Sequence, residues 1–154
     1  MAMTLQNLKH ACMLSTQAVG TTATSAVTTF SLDTKGYDEL QIVVIPQTHA
    51  TSTITGFAIE HSDTDAATAF GAVTGYVAGT DYTVASIVGG TAATAATSPA
   101  VFNINLIGKK RYFRVSGIIA TTAINATVTS ALSRASASPI TTANQGATVV
   151  VNPS

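Results

Sequence analysis

The run from Val101 to Leu132, VFNINLIGKKRYFRVSGIIATTAINATVTSAL, contains three segments in which every second residue is apolar or small. From Val101 to Ile107, Phe102, Ile104 and Leu106 alternate with Asn103 and Asn105, and Gly108 ends the pattern. From Arg111 to Ala120, Phe113, Val115 and, past Gly117, Ile119 share one face, with Tyr112 and Arg114 on the other. From Ile124 to Leu132, Ile124, Ala126, Val128 and Ser130 oppose Asn125, Thr127 and Thr129. Successive side chains leave a strand on opposite sides, so a period of two marks a strand with one buried and one wet face. The GKK between the first two segments makes a tight connection, and the three together read as an antiparallel meander.

The chain upstream repeats this signature. Tyr37 to Ile45, YDELQIVVI, closes in a β-branched run stopped by Pro46, which has no N–H for a continuing ladder. Ile54 to His61, ITGFAIEH, places Phe57, Ile59 and His61 on one face and Ala58 and Glu60 on the other. Ser62, Asp63 and Asp65 favour a turn, because their short polar side chains bond local backbone. Ala69 to Tyr76 then reads as the return arm of a hairpin, carrying Phe70 and Val73. Tyr82 to Val88 reads as a short strand, and Gly90 to Ala100 as a loop or arm without a large side chain. Seven to nine short strands separated by turn signals predict an all-β chain, an antiparallel β-sandwich of jelly-roll-like kind with extended N- and C-terminal arms.

Three regions follow: residues 1–32 as an N-terminal arm or strand, 33–132 as the sandwich core, and 133–154 as a C-terminal arm or edge strand. The last region is small and polar until Val149, Val150 and Val151. That β-branched triplet suits addition of a strand to a neighbour's sheet, or an edge strand of the chain's own sheet.

Composition points to an assembled protein. Thr (27), Ala (26), Ser (13) and Gly (11) make up half of the 154 residues, charged residues are 9%, and the formal net charge is zero. Near-zero net charge promotes association, whereas disorder needs high charge and low hydrophobicity. No basic run exceeds four residues, which argues against a nucleic-acid binder, whose affinity comes from neutralised phosphates. The long uncharged stretch from Tyr82 to Gly108 is too weakly apolar, and is broken by Pro99, to be a membrane span. The N-terminal segment has no apolar run of signal-peptide kind, and a single cysteine, Cys12, fits synthesis in a reducing cytoplasm.

Catalytic chemistry finds little support in the residues. His10, His49 and His61 lack the short ligand spacing of a zinc site, and the acidic run Glu60, Asp63, Asp65 lacks the glycine and terminal glutamate of a calcium loop. Cys12 beside His10 is a thiol and a base adjacent in sequence, which is not the geometry of a nucleophile and its activator. No G-x-S-x-G or glycine-rich phosphate loop occurs. An enzyme is therefore not expected, and no cofactor or metal is. The one concentrated charge feature is Lys109, Lys110, Arg111 and Arg114. With Tyr112 it reads either as a docking patch for an acidic partner surface or as a solubilising hairpin turn in which Arg114 pairs with Glu60 or Asp38.

Taken together, LQIVVIP, GFAIEHSDTDAATAFGAV and GKKRYFRVSGIIA resemble small β-sandwich proteins encoded in the structural gene blocks of tailed bacteriophages. The likeness rests on an E-x-S-D turn (Glu60, Ser62, Asp63), an F-x-x-V segment (Phe70, Val73) and a KRY-x-RV strand (Lys110, Arg111, Tyr112, Arg114, Val115), spanning residues 37–132. It implies a capsid decoration or cement protein, frequently a homotrimer, that binds the major capsid protein on the outer shell between capsomers. It also implies a virion location after synthesis in the host cytoplasm, with no nucleic-acid or membrane partner. Lys109, Lys110, Arg111, Tyr112, Arg114 and Val149 to Val151 are then the candidate contact residues. Two other readings stand beside it: a head-to-tail connector or tail component, and a carbohydrate-binding sandwich using Tyr37, Tyr76, Tyr82 or Tyr112 as stacking platforms.

Overall fold

The computed structural model describes residues 8–21, 26–46, 54–82, 99–120, 124–133 and 149–151, which form nine strands and no helix. The strands are β1 (Leu8–Val19), β2 (Leu32–Asp33), β3 (Glu39–Pro46), β4 (Ile54–Ser62), β5 (Gly71–Val77), β6 (Ala100–Asn105), β7 (Tyr112–Ala120), β8 (Ile124–Ser133) and β9 (Val149–Val151). They make two sheets, a five-stranded one ordered β1-β8-β3-β6-β9 and a four-stranded one ordered β2-β7-β4-β5. The pairing is nested and antiparallel: β1 with β8, β2 with β7, β3 with β6, β4 with β5. Only β9 departs, lying parallel to β6. The expected all-β sandwich is what the structure has.

Alternation in sequence becomes burial in the fold. Leu40, Ile42 and Val44 of β3 and Ile124, Ala126, Val128 and Leu132 of β8 point inward from the larger sheet. Phe57, Ile59, Phe113 and Val115 meet them from the smaller one. Phe102 on β6 is fully buried and packs edge-on against Phe57 (ring centroids 5.4 Å) and Tyr82 (5.1 Å), with Tyr76 at 6.4 Å. Tyr76 lies on β5 of the opposite sheet, and its hydroxyl donates to the Asn103 carbonyl of β6 at 2.7 Å.

Several expectations need correcting. The segments from Val101 to Leu132 do not form a meander, because β6 and β8 flank β3 in one sheet while β7 lies between β2 and β4 in the other. Alternation records which face is buried; it is silent on which sheet the strand joins. On β7 the inward residue past the glycine is Ile118, fully buried, and not Ile119, which is half-buried. Gly117 has φ +68°, and the register runs from Gly56↔Ile119 to Ala58↔Ser116, so β7 carries one extra residue there. Such a bulge moves every later side chain to the other face.

Of the two alternatives for residues 1–32, arm or strand, residues 8–19 take the strand, in register with β8 from Leu8↔Ser133 to Val19↔Ile124. Two irregularities in that register let both Met13 and Leu14 enter the core. The valine triplet forms an edge strand of the chain's own sheet, Val149, Val150 and Val151 pairing with Ala100, Val101 and Phe102. The remainder of the expected C-terminal arm, the Gly90–Ala100 loop before Pro99 and the Tyr82–Val88 strand after Tyr82 lie outside the described residues.

Because Phe102 joins the two sheets, Phe102→Ala is expected to lower the unfolding free energy by about 3–5 kcal/mol. Urea denaturation followed by tyrosine fluorescence measures this; a loss below about 1 kcal/mol would mean the ring cluster is not what couples the sheets.

Candidate partner-binding surface

The basic cluster lies where β7 begins and β4 ends. Leu106 to Lys109 form a β-turn, with the Lys109 N–H donating to the Leu106 carbonyl at 3.0 Å and Gly108 at φ +73°, a conformation that favours glycine. Arg111 follows and is held from two directions. Its guanidinium makes a bidentate pair with Asp33, Nε to Oδ1 at 2.8 Å and Nη2 to Oδ2 at 2.6 Å. Its carbonyl accepts from both the N–H (3.0 Å) and the hydroxyl (2.6 Å) of buried Thr34. The guanidinium also lies 4.9 Å from the Tyr112 ring centroid. The Arg111 hydrogen bonds, helped by the Lys35 N–H, hold the Asp33 carboxyl well down, at about 2.

Arg114, two residues beyond Tyr112 and on the same face of β7 as it, pairs with Glu60 directly across from it on β4, Nε to Oε2 at 2.7 Å. Its guanidinium carbon is 4.2 Å from the Phe70 ring centroid, so one cation is used twice, by a carboxylate and by a π face. Both partners of this pair keep less than a fifth of their side-chain surface in water. Of the alternatives open for Arg114, the structure takes Glu60 over Asp38.

Lys109 and Lys110 are different. Both are exposed, and neither forms an ion pair with a described residue. The Lys110 N–H donates to His61 Nδ1 at 3.3 Å, and His61 packs edge-on to Phe113 at 5.7 Å. Burial, seconded by the charges of Lys110 and Lys109, moves the His61 pKa downward, with Asp63 opposing. The cluster thus divides into two arginines tied to the sheet and two lysines projecting from a turn. Tyr112 is half-buried, and Val149 to Val151 lie away from the cluster at the β6 edge of the other sheet.

The outward faces of the two sheets differ in charge. The smaller sheet presents Asp33, Glu60 and Arg114, with Arg111 beside them. The central strands of the larger present Gln41, Val43, Ile45, Asn103, Thr127 and Thr129, with Glu39 at one end. On that larger face the Gln41 amide donates to the Asn103 side-chain oxygen at 3.0 Å, and Thr16 and Thr127 share a hydrogen bond at 3.0 Å.

The remaining candidates lie elsewhere in the fold. Ser62 is buried, and its hydroxyl accepts from the Thr64 N–H at 3.1 Å, which forms the turn that carries Asp63 and Asp65. Among the described residues no three His, Cys, Asp or Glu side chains gather as a metal site. Cys12 and His10 are exposed on β1, opposite Thr129 and Ala131. Of the four tyrosines offered as stacking platforms, Tyr76 is a core residue and Tyr82 packs half-buried against the core, and burial pushes Tyr76 up to about 12 and Tyr82 higher still. Tyr37 also packs against the core.

Asp33 and Phe70 as partners of the arginines were not foreseen. Asp33 is 78 residues from Arg111 in sequence, and no local spacing signals such a pair. Family models, curated proteins and solved structures were all compared with the chain, and none matches it.

Asp33 has its pKa depressed in the folded chain, so its pair with Arg111 adds stability above the carboxylate's ordinary pKa of 3.8, and that stability is lost as pH falls toward about 2. Asp33→Asn is expected to flatten the pH dependence of the urea midpoint between pH 4 and pH 2 relative to the unmodified chain, leaving the region above pH 5 parallel. Superimposable acid limbs for the two proteins would show that the pair adds nothing, the usual outcome for many exposed pairs.

Proposed function

We propose that this chain is a virion structural protein of a tailed phage, a decoration or cement protein that binds the major capsid protein on the outside of the head and stabilises it as a homo-oligomer. One observation carries the reading. The three short motifs of the resemblance come from two segments far apart in sequence, residues 56–73 and 108–120, yet their residues meet as one unit on the smaller sheet. Glu60 pairs with Arg114, Arg114 covers Phe70, and Ser62 lies opposite Tyr112 in register, while Val73 and Val115 are buried beneath. A motif set that is physically interlocked is a stronger likeness than three unrelated strand edges.

The nested strand order supports the jelly-roll part of the reading, since an eight-stranded double-sheet roll pairs its strands in that manner. A cement protein needs area and many copies more than a catalytic group. Avidity across a shell lets each contact stay modest. Burial of Tyr76, and the packing of half-buried Tyr82 and Tyr37 against the core, take away most of the aromatic surface on which sugar recognition would rest, so the carbohydrate reading loses ground.

Heads prepared without the protein, mixed with purified chain and imaged by electron microscopy, test the reading. Density at threefold or quasi-threefold positions over the whole shell is expected. Density confined to one vertex would make the chain a connector or tail component, and bare shells would overturn the proposal. Deleting residues 134–154 is expected to reduce shell occupancy at least ~10-fold while cooperative unfolding persists, because main-chain pairing at a sheet edge is a common mode of attachment; unchanged occupancy would remove the C-terminal segment from the contact.

A further inference from the structure

Two large apolar side chains among the described residues stand out in solvent, Phe30 and Ile107, each 78% exposed. Each has two exposed charges of like sign close by, and exposed Asp38 also borders the Ile107 turn, its carbonyl accepting from the Leu106 N–H at 2.9 Å. Ile107 is the second residue of the turn that Gly108 completes, and Lys109 and Lys110 follow it directly. Phe30 is tied to the acidic turn through its neighbour, because the Ser31 hydroxyl donates to Asp65, and Asp63 and Asp65 are both exposed. Phe30 is also fixed in place: its N–H donates to the Met13 carbonyl at 3.1 Å, and the preceding Thr29 N–H donates to Val115 at 2.9 Å.

Arg111, Asp33, Arg114 and Glu60 neutralise one another within the chain. Lys109, Lys110, Asp63 and Asp65 form no ion pair with a described residue. The two patches border each other, since Ser62 at the end of β4 is paired with Tyr112 at the start of β7, and His61 feels the charges of Lys109, Lys110 and Asp63 together.

We propose that these patches are the two halves of a contact between copies of this chain, Ile107 with Lys109 and Lys110 of one copy seating against Phe30 with Asp63 and Asp65 of the next. The occupant is a second copy because each patch, an exposed apolar side chain beside two charges that form no ion pair with a described residue, finds opposite charges and an exposed apolar side chain on the same molecule. An apolar anchor ringed by charges is the anatomy of a specific interface, in which the charges set register and exclude wrong partners. Unlike patches that meet head to tail close into a ring when the rotation permits, and patches that adjoin can also meet across a twofold axis. This inference rests on the homo-oligomer part of the reading above, but its test needs no shell, so failure of shell binding and failure of self-association are read separately.

Sedimentation velocity of the full chain, of Lys109→Glu/Lys110→Glu, of Asp63→Lys/Asp65→Lys and of the chain carrying all four reversals tests it, with circular dichroism to confirm folding. The unmodified chain is expected to associate. Each double variant should weaken association at least ~10-fold through like-charge juxtaposition, and the fourfold variant should recover it to within about threefold. Rescue by the fourfold reversal distinguishes a direct contact from loss of fold. A monomeric unmodified chain, double variants that associate normally, or a fourfold variant that stays dissociated would each overturn the proposal.

Discussion

Half of this chain consists of Thr, Ala, Ser and Gly, so the interior depends on a few large side chains being placed where both sheets can use them. Phe102 meets that constraint. It projects from β6 into the rings of Phe57, Tyr76 and Tyr82, and the Tyr76 hydroxyl reaches across to the β6 backbone. Tyrosine can close a gap between sheets in this way because its ring fills volume while its hydroxyl finds an acceptor. The same clamp fixes β5 and β4 against the larger sheet, and so fixes Phe70 beneath Arg114.

Threonine takes on a second task that its abundance foreshadows. Thr29 accepts the Val115 N–H at 3.0 Å through its hydroxyl and donates its own N–H to the Val115 carbonyl, standing in for a ladder partner at the edge of the smaller sheet. Thr34 does the converse for Arg111, donating twice to one carbonyl. Irregular backbone on either side of β2 is thereby satisfied without further strand.

The strands were readable where period alone decides them. β8 alternates without interruption, and its buried residues are those the pattern marks; β3 was readable as a strand from its β-branched run and Pro46, while its alternate burial is visible only in the fold. The reading failed at Gly117, where one inserted residue exchanges Ile118 for Ile119, and at sheet assignment, which depends on long-range pairing that periodicity does not encode. The basic cluster was visible as charge, and the pairing of Arg114 with Glu60 was among the alternatives. Its division into tied arginines and projecting lysines was not visible, because it depends on Asp33 and Phe70 arriving from distant segments.

The uneven charge of the two outward faces makes the molecule two-sided in its response to salt. Contacts made through Gln41, Val43, Ile45, Thr127 and Thr129 would involve little charge and would be nearly indifferent to ionic strength. Contacts made through the end that bears Lys109, Lys110, Asp63 and Asp65 would weaken as salt rises. Ionic strength therefore acts as a compass for this protein, reporting which side of the sandwich faces whatever it is bound to.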